Sequence, residues 1–415
     1  LAGVKSLTLH DPRSVRVDDL SAQFYCSEEQ VGQNRAHVSL EHLASLNRHV
    51  AMSVLDGPVN KTTLERFSLV ICTDSPFGEC VMVNDACRAA GVKFIMVQAR
   101  GFAGNIFVDF GPDFEVTDTT GENPAQAMIS MVDNAAKAQL VTLDEQRHGL
   151  EDGDFVSFSE VQGMTELNAL SEPVQVKVLG PYTLELALDT SAFAKYSGGG
   201  YVRQVKQAAS IKFDSLRDSL KKPHFTTSDF AKMERERQLL LIFQALDSFF
   251  VQLGALPRPA VPEDADKVVM MAQQFNTEMH TAAGVQVNAQ LVDVLDEPLI
   301  RSVAMQARAQ IAPMMSVLGS IVAQEALKGI SGKFMPIRQF FMFDALECLP
   351  GAAEGEEATG PGEYEGECSR YDGQIAAVGK TVQRKEAGPA IHNRYCFRPR
   401  SWCPHTHGGG GRFTA

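Results

Sequence analysis

Four side chains near the carboxyl end, Cys396, Cys403, His405 and His407, are of the types that hold zinc. Their spacing fits no common site and the segment around them has no pattern of a folded scaffold, so no metal is expected there. Cys72 lies inside an apolar strand-like run, and Cys87 on an amphipathic stretch that should pack on a sheet. Both read as core residues rather than nucleophiles. Cys348 follows another apolar run and reads as structural as well. Asp109 and Asp229 stand beside aromatic residues, where a carboxyl group can be tuned for acid or base work, yet neither has a partner at a readable spacing. Capping of element ends is the expected role.

Phosphate binding asks for a Gly-rich turn with free backbone amides between a strand and a helix. No G-x-G-x-x-G and no G-x-x-x-x-G-K-[ST] follows any strand candidate, and the run Gly198 to Gly200 sits among short strands, where it predicts a tight turn. The residues therefore assign no catalytic, cofactor-binding or metal-ligating position.

The elements that would position any such group change character along the chain. From the start to about residue 118, strand candidates at Ser6 to His10, Val50 to Leu55, Ser68 to Cys72, Val92 to Gln98 and Ile106 to Phe110 alternate with amphipathic stretches such as Leu40 to Leu46 and Cys80 to Ala90. That alternation predicts a parallel α/β sheet covered by helices. A helix is expected near Ala125 to Val132. Between about 140 and 222 helical periodicity disappears, and short strands at Asp154 to Ser159, Val174 to Leu179 and Tyr201 to Val205 are separated by glycine turns, which predicts a small β barrel. Ser228 to Leu256 and Ala265 to Asn276 then predict a helical bundle interrupted by the Pro257 to Pro262 segment. Pro313 opens an apolar helix, Met314 to Lys328, and Phe334 to Phe343 ends in a strand-like run able to rejoin the first sheet. Barrel and bundle would then be insertions in a discontinuous α/β domain.

Residues 351 to 368 are rich in Gly and Glu and predict a disordered linker. The basic stretch from Lys380, with its four-glycine run at Gly408 to Gly411, reads equally as a disordered tail or as an out-of-frame extension. The chain lacks an initial Met and enters a strand pattern by Lys5, so it is expected to begin inside a folded domain.

Composition narrows the partners. With 38 Lys and Arg against 51 Asp and Glu in 415 residues, the net charge of −13 argues against nucleic acid. No apolar run reaches the roughly 18 residues that span a bilayer, so no membrane partner is expected. Eight cysteines with none between Cys87 and Cys348 make no disulfide framework and point to a reducing compartment. The length allows two or three compact units.

Several passages occur together and in one order: Leu20-Ser-Ala-Gln-Phe-Tyr25, Val31-Gly-Gln-Asn-Arg-Ala36, the run Asp152 to Asn168, Lys177-Val-Leu-Gly-Pro-Tyr182, Ala323-Gln-Glu-Ala-Leu-Lys328, Ser331-Gly-Lys-Phe-Met-Pro336, Phe343 to Pro350 and Arg370 to Ile375. In this series the chain resembles the first half of eukaryotic ubiquitin-activating enzymes. The resemblance implies a Rossmann-like adenylation domain of the ThiF/MoeB kind, in its inactive copy, over residues 1–138 and 301–350. It further implies the first catalytic-cysteine half-domain, a β barrel, at 139–222, a four-helix bundle at 223–300, and a linker and tail at 351–415. Where the family's active copy has an Arg-Gln-Phe motif this chain reads Ala22-Gln23-Phe24, and Gln33 stands where the active copy usually has Lys. Charge complementarity to a triphosphate is lost with them.

The family's first strand and Gly-rich turn, its active adenylation domain, its nucleophilic cysteine and its ubiquitin-fold domain have no counterpart here. The resemblance thus implies a scaffold and docking half: no cofactor bound by this chain alone, ATP and Mg in the complete family enzyme, and poor solubility in isolation. The implied partners are ubiquitin or a ubiquitin-like protein, the active adenylation half and ubiquitin-conjugating enzymes, and the implied location is the cytoplasm and nucleus. Two other readings stand beside it: a stand-alone, non-catalytic module that binds a ubiquitin-like modifier, and a nucleotide-cofactor oxidoreductase, against which the missing glycine fingerprint already argues.

Overall fold

The computed structural model describes residues 4–143, 147–282, 292–349 and 360–386. The Cys396 to His407 cluster and the first half of the expected Gly/Glu linker, residues 351–359, lie outside these residues. The first β-α-β unit is β1 (Ser6–Leu9), α1 (Arg35–Leu46) and β2 (Ala51–Val54), whose strands pair in parallel. Asn34 starts α1 by accepting the His37 amide at 3.1 Å, as an N-cap should. After the short α2 (Lys61–Leu64) comes a second unit: β3 (Leu69–Thr73), α3 (Phe77–Ala89) and β4 (Lys93–Arg100), again parallel.

The expectation of a wholly parallel sheet fails at this point. Gly101 takes a left-handed φ of 57° and, with Phe102, reverses the chain, so β5 (Ala103–Asp109) runs antiparallel to β4. Its far edge is taken by β14 (Phe340–Asp344), also antiparallel, in the order β14-β5-β4-β3. Every residue of β5 is buried, and Phe107 lies 4.8 Å from Phe340, ring centre to ring centre. Each such buried ring contributes roughly 1.5–3 kcal/mol.

One face of this sheet packs against α3, α4 (Leu216–Ser219), α5 (Arg235–Leu253), α6 (Pro262–Ala282) and α7 (Glu297–Met305), through side chains such as Met96, Phe243, Leu246 and Ile300. The other face takes α8 (Ala312–Ser331) through Ile95, Ile106, Leu318 and Val322. Two glycines bring α8 close: a methyl added at Gly104 would stand 2.5 Å from Leu318, and one at Gly329 would stand 2.8 Å from the Phe110 ring.

Between β6 (Phe114–Val116) and β13 (Ala209–Ile211), which pair with each other, the chain leaves the sheet to build a closed barrel. Its strands are β7 (Gln126–Val132), β8 (Gln139–Thr142), β9 (Phe155–Ser159), β10 (Val174–Gly180), β11 (Thr183–Leu186) and β12 (Tyr201–Val205), in the order β10-β11-β8-β7-β12-β9. Two expectations are corrected. The segment Ala125 to Val132 is not a helix: Ala127, Ile129 and Val132 face the barrel core while Met128 and Met131 face out, so strand alternation outweighs the helical leaning of Ala and Met. The barrel is also drawn from Gln126 to Val205 rather than 139 to 222, and residues after β12 return to the body, where Ile211, Phe213 and Leu216 are core.

The long bundle helix starts at Arg235 and not at Ser228, because Asp229 accepts the Ala231 amide at 3.0 Å and holds a separate short turn. The expectation of disorder from residue 351 onward is corrected where the chain is described: α9 (Asp372–Glu386), broken at Gly379, runs through Lys380. Its Ala376 and Ala377 pack on Ala309, Ile311 and Met314.

Candidate functional site

Open α/β sheets bind ligands where parallel strands end and helices begin, because the first amides of a helix point outward unpaired. Here that place is the turn Asp74 to Pro76 between β3 and α3, beside the end of β4. It is filled from within the chain. The Phe77 amide donates to Asp247 Oδ2 of α5 at 2.8 Å, and Gln98 Nε2 donates to the same oxygen at 2.9 Å and to the Ser75 carbonyl at 2.9 Å. Arg100 bridges the two sides, 3.3 Å from Asp247 Oδ1 and 3.1 Å from Asp74 Oδ1. Burial pushes the Asp247 carboxyl above its ordinary range, with Arg100, Gln98 and the Phe77 amide pulling the other way. A phosphate entering here would meet a carboxylate already holding the helix amide and the guanidinium, with no glycine turn to admit it. The site does not fit a nucleotide triphosphate.

The segment expected to replace the family's triphosphate-handling residues is equally unsuited. Ala22, Gln23 and Phe24 follow a short turn at Asp18–Ser21, and the Phe24 ring is 78% exposed. The nearby cations are engaged: Arg35 contacts Asp11 at 2.5 Å and Asp19 at 2.7 Å, Arg16 holds Asp18 at 2.7 Å, and Arg13 holds Asp11 at 3.2 Å. The Gln33 backbone pairs with Val15, which places it in a loop with no charge to offer. The Cys26 thiol is pushed up by burial and by Asp19.

The remaining candidates have structural surroundings. Asp109, at the end of β5, accepts from Asn84 at 2.7 Å, from Arg88 at 2.8 Å and from the Gly111 amide at 2.9 Å. Asp229 caps the turn already described. Gly198 to Gly200 all take positive φ but form no turn: Gly198 is bridged to Gln162, and the Tyr196 hydroxyl donates to the Gly199 carbonyl at 2.9 Å. Cys87 is buried beneath α3, and burial pushes its thiol up to about 12. Cys348, expected to be structural, is exposed instead, because the chain leaves the sheet at Asp344 and Cys348 falls in the short helical turn beyond it.

What the surface offers instead is apolar area and a polar cleft. On the side of α8 turned from the sheet and in the loop after it, Val317, Ile330, Phe334 and Met335 are exposed, Phe334 at 47%. The barrel turns Met128, Met131 and Leu179 outward. At the barrel's root lies a cleft of about 380 Å³ lined in part by Glu122, Glu151, Asp154 and Lys206. The Lys206 ammonium is committed to Asp118 at 2.6 Å, to Thr120 Oγ1 at 3.3 Å and to the Glu122 carbonyl, and so ties together the two chain segments that lead into and out of the barrel.

Residues 136–206, the barrel without its first strand, match the ubiquitin-activating enzyme E1 FCCH domain, and residues 207–276 match the ubiquitin-activating enzyme E1 four-helix bundle. Over 385 residues the chain is 45% identical to ubiquitin-like modifier-activating enzyme 1 of Oryctolagus cuniculus and equally to that of Homo sapiens, covering 93% of this chain. The chain is homologous to the ubiquitin-activating enzymes. It is also 42% identical over 388 residues to ubiquitin-activating enzyme E1 2 of Arabidopsis thaliana. It spans about a third of the length of these relatives, 35% in each case. Of solved structures, E. coli MccB overlaps 25% of this chain and 31% of its own at 22% identity with a TM-score of 0.23, too slight a match to argue from. The bundle match begins at residue 207, yet its first elements, β13 and α4, pack on the α/β body. Sequence family and packing unit therefore part company at this junction.

The sequence singled out Ala22 to Phe24, Gln33 and the cysteines. It missed Asp247, Gln98 and Arg100, which meet across some 150 residues of chain. A charged residue in the middle of an otherwise apolar helical face, as Asp247 is in Phe243 to Phe249, was the available signal.

Proposed function

We propose that this chain is the non-catalytic scaffold and docking half of a ubiquitin-activating enzyme, in which ATP-dependent adenylation of ubiquitin and thioester formation are carried out by an active half. On this reading the sheet is the inactive copy of a ThiF/MoeB-like, Rossmann-like adenylation domain. ATP and Mg belong to the active half, and the chain works in the cytoplasm and nucleus. The apolar face of α8 with Phe334 and Met335 docks the active adenylation half, and the outward barrel residues touch ubiquitin or a ubiquitin-like protein. Ubiquitin-conjugating enzymes meet the assembled enzyme.

The observation that carries the non-catalytic part is the Asp247 carboxylate seated on the first amide of α3. Electrostatic repulsion of a triphosphate by a buried carboxylate is stronger than at a wet surface. The docking part rests on exposed Phe334, Met335 and Ile330, since grouped apolar side chains at a surface mark contact sites.

The test is ATP–pyrophosphate exchange with ubiquitin by the purified chain, alone and mixed with a separately expressed active adenylation half. The expected result is no exchange alone and exchange on mixing. Exchange by the chain alone would overturn the non-catalytic reading, and silence in both arms would overturn the docking reading.

A further inference from the structure

The barrel has a core of its own, with Ala127, Leu140, Val156 and Leu184 among its buried side chains, apart from the two cores that flank the sheet. Chain enters it through Thr117 to Ala125 and leaves it through Lys206 to Ala208, two segments that continue the paired strands β6 and β13. A stem of two strands alone would let such a unit rock on the body. The loop that ends α8 takes hold of that stem. Gly332, with a left-handed φ of 65°, closes the helix and releases the chain toward it. The Gly332 carbonyl accepts the Thr117 amide at 2.8 Å, the Phe334 amide donates to the Asp118 carbonyl at 2.7 Å, and the Met335 amide donates to the Thr119 carbonyl at 3.1 Å. Phe334 takes a φ of 64°, which an aromatic residue keeps only where its surroundings hold it. Its ring lies on Gly121 so closely that a Cβ there would clash with it. The Asp118 carboxylate accepts the Gly121 amide at 2.9 Å and the Lys206 ammonium at 2.6 Å, a pair whose side chains are only 18% and 20% exposed.

We propose that Asp118, Lys206 and the loop Gly332 to Met335 form a clasp that fixes the barrel in one orientation relative to α8, and that opening it frees the barrel to tilt on its stem. The loop holds the inbound segment and Lys206 ties the outbound segment to it, so neither shifts without the other. Below the clasp β6 and β13 are anchored in the body through Phe114, Val116 and Ile211, which puts the pivot in the few loop residues above them, where hinges absorb changes of φ and ψ. Room for the motion is the cleft of about 380 Å³, which has stem residues Thr120 and Glu122 on one side and Glu151 and Asp154 of the barrel on the other. On the docking reading given above, a partner seated on Phe334 and Met335 bears on the same loop, and the clasp then sets the barrel against that partner. This consequence rests on that reading; the clasp rests on contacts within the chain.

Nitroxides attached to p-acetylphenylalanine at Lys137 of the barrel and Gln324 of α8, both exposed, report the orientation in the full chain by double electron–electron resonance and leave the native cysteines untouched. No partner is present, so the outcome is independent of docking and of ATP–pyrophosphate exchange. The expected result is one narrow distance peak, lost to a broad distribution in Lys206→Met and retained in Lys206→Arg. Phe334→Gly, which removes the ring and suits the positive φ, is expected to broaden the peak as well, and it carries the test if circular dichroism shows that Lys206→Met does not fold. A broad distribution in the chain that carries only the labels, or a narrow and unshifted peak in a folded Lys206→Met or Phe334→Gly chain, would overturn the proposal.

Discussion

Asp247 of α5 accepts the backbone amide of Phe77, the first residue of α3, at 2.8 Å, and with its other oxygen meets Arg100 at 3.3 Å. A bundle helix thus supplies the anion that the amino terminus of a sheet helix calls for. Bundle and sheet are joined by a buried charge pair as well as by apolar packing.

Removing one partner of a buried ion pair leaves the other uncompensated. Asp247→Ala should lower the urea-unfolding free energy by about 3 kcal/mol, and Asp247→Asn, which keeps an acceptor for the Phe77 amide, by less. Burial raises the Asp247 carboxyl, so its stabilising contribution is fullest below the ordinary carboxylate value and is lost as pH rises through the raised one. The wild type should therefore lose ground to Asp247→Asn across that interval. A difference that stays constant with pH would contradict the assignment.

Asp264 behaves in the opposite sense. Arg258 donates to it from Nε at 2.9 Å and Nη2 at 3.1 Å and from its backbone amide at 3.0 Å, holding the carboxyl far below its usual range. The contribution is present above the ordinary carboxylate value and is lost as pH falls through the lowered one. Because Arg258 is largely exposed, Arg258→Ala should cost only about 1 kcal/mol at neutral pH. Chemical denaturation at pH 7 and pH 3 checks this: the cost shrinks at the lower pH, and an equal cost at both would refute it.

Gly329 lets α8 lie against the Phe110 ring. Gly329→Ala must displace a ring already packed on Phe114 and Phe213, at centroid distances of 5.0 and 5.4 Å. Overpacking of this kind costs about 1–3 kcal/mol. Thermal melts should show the loss, and pairing Gly329→Ala with Phe110→Leu should restore part of it. No recovery in the double variant would mean the clash lies elsewhere.

Ile71 is 39% exposed on β3, whose outer edge carries no paired strand among the described residues. Apolar open edges template association, and an edge lysine blocks it. Ile71→Lys should reduce self-association in sedimentation velocity without changing the far-UV circular dichroism. Unchanged sedimentation would show that the edge is not the adhesive surface.

Much of the fold was legible because apolar runs such as Val92 to Gln98 and alternating ones such as Tyr201 to Val205 carry their period openly. What escaped depends on partners far away in the chain. Nothing local to Ala103 to Asp109 says that it runs against β4; the two-residue reversal at Gly101 and Phe102 decides it. Ala125 to Val132 contains residues that suit a helix and becomes a strand only because a barrel is there to close. The engagement of Asp247 with Phe77 needed the turn before α3 to be placed before the pair could be seen. Ala22 and Gln33, which the resemblance sets where the active copy carries Arg and Lys, could be singled out in the sequence. The seating of Asp247 on the amino terminus of α3 could not.

The position of β14 has a consequence for synthesis. β5 ends at Asp109 and its second neighbour begins at Phe340, about 230 residues later. At about 5–20 residues per second, a ribosome takes roughly 10–50 s to deliver it. During that wait barrel strands and bundle helices emerge and can collapse while one flank of the most deeply buried strand stays bare. A chaperone that shields a nascent strand would find its longest-lived target in this chain at Ala103 to Asp109.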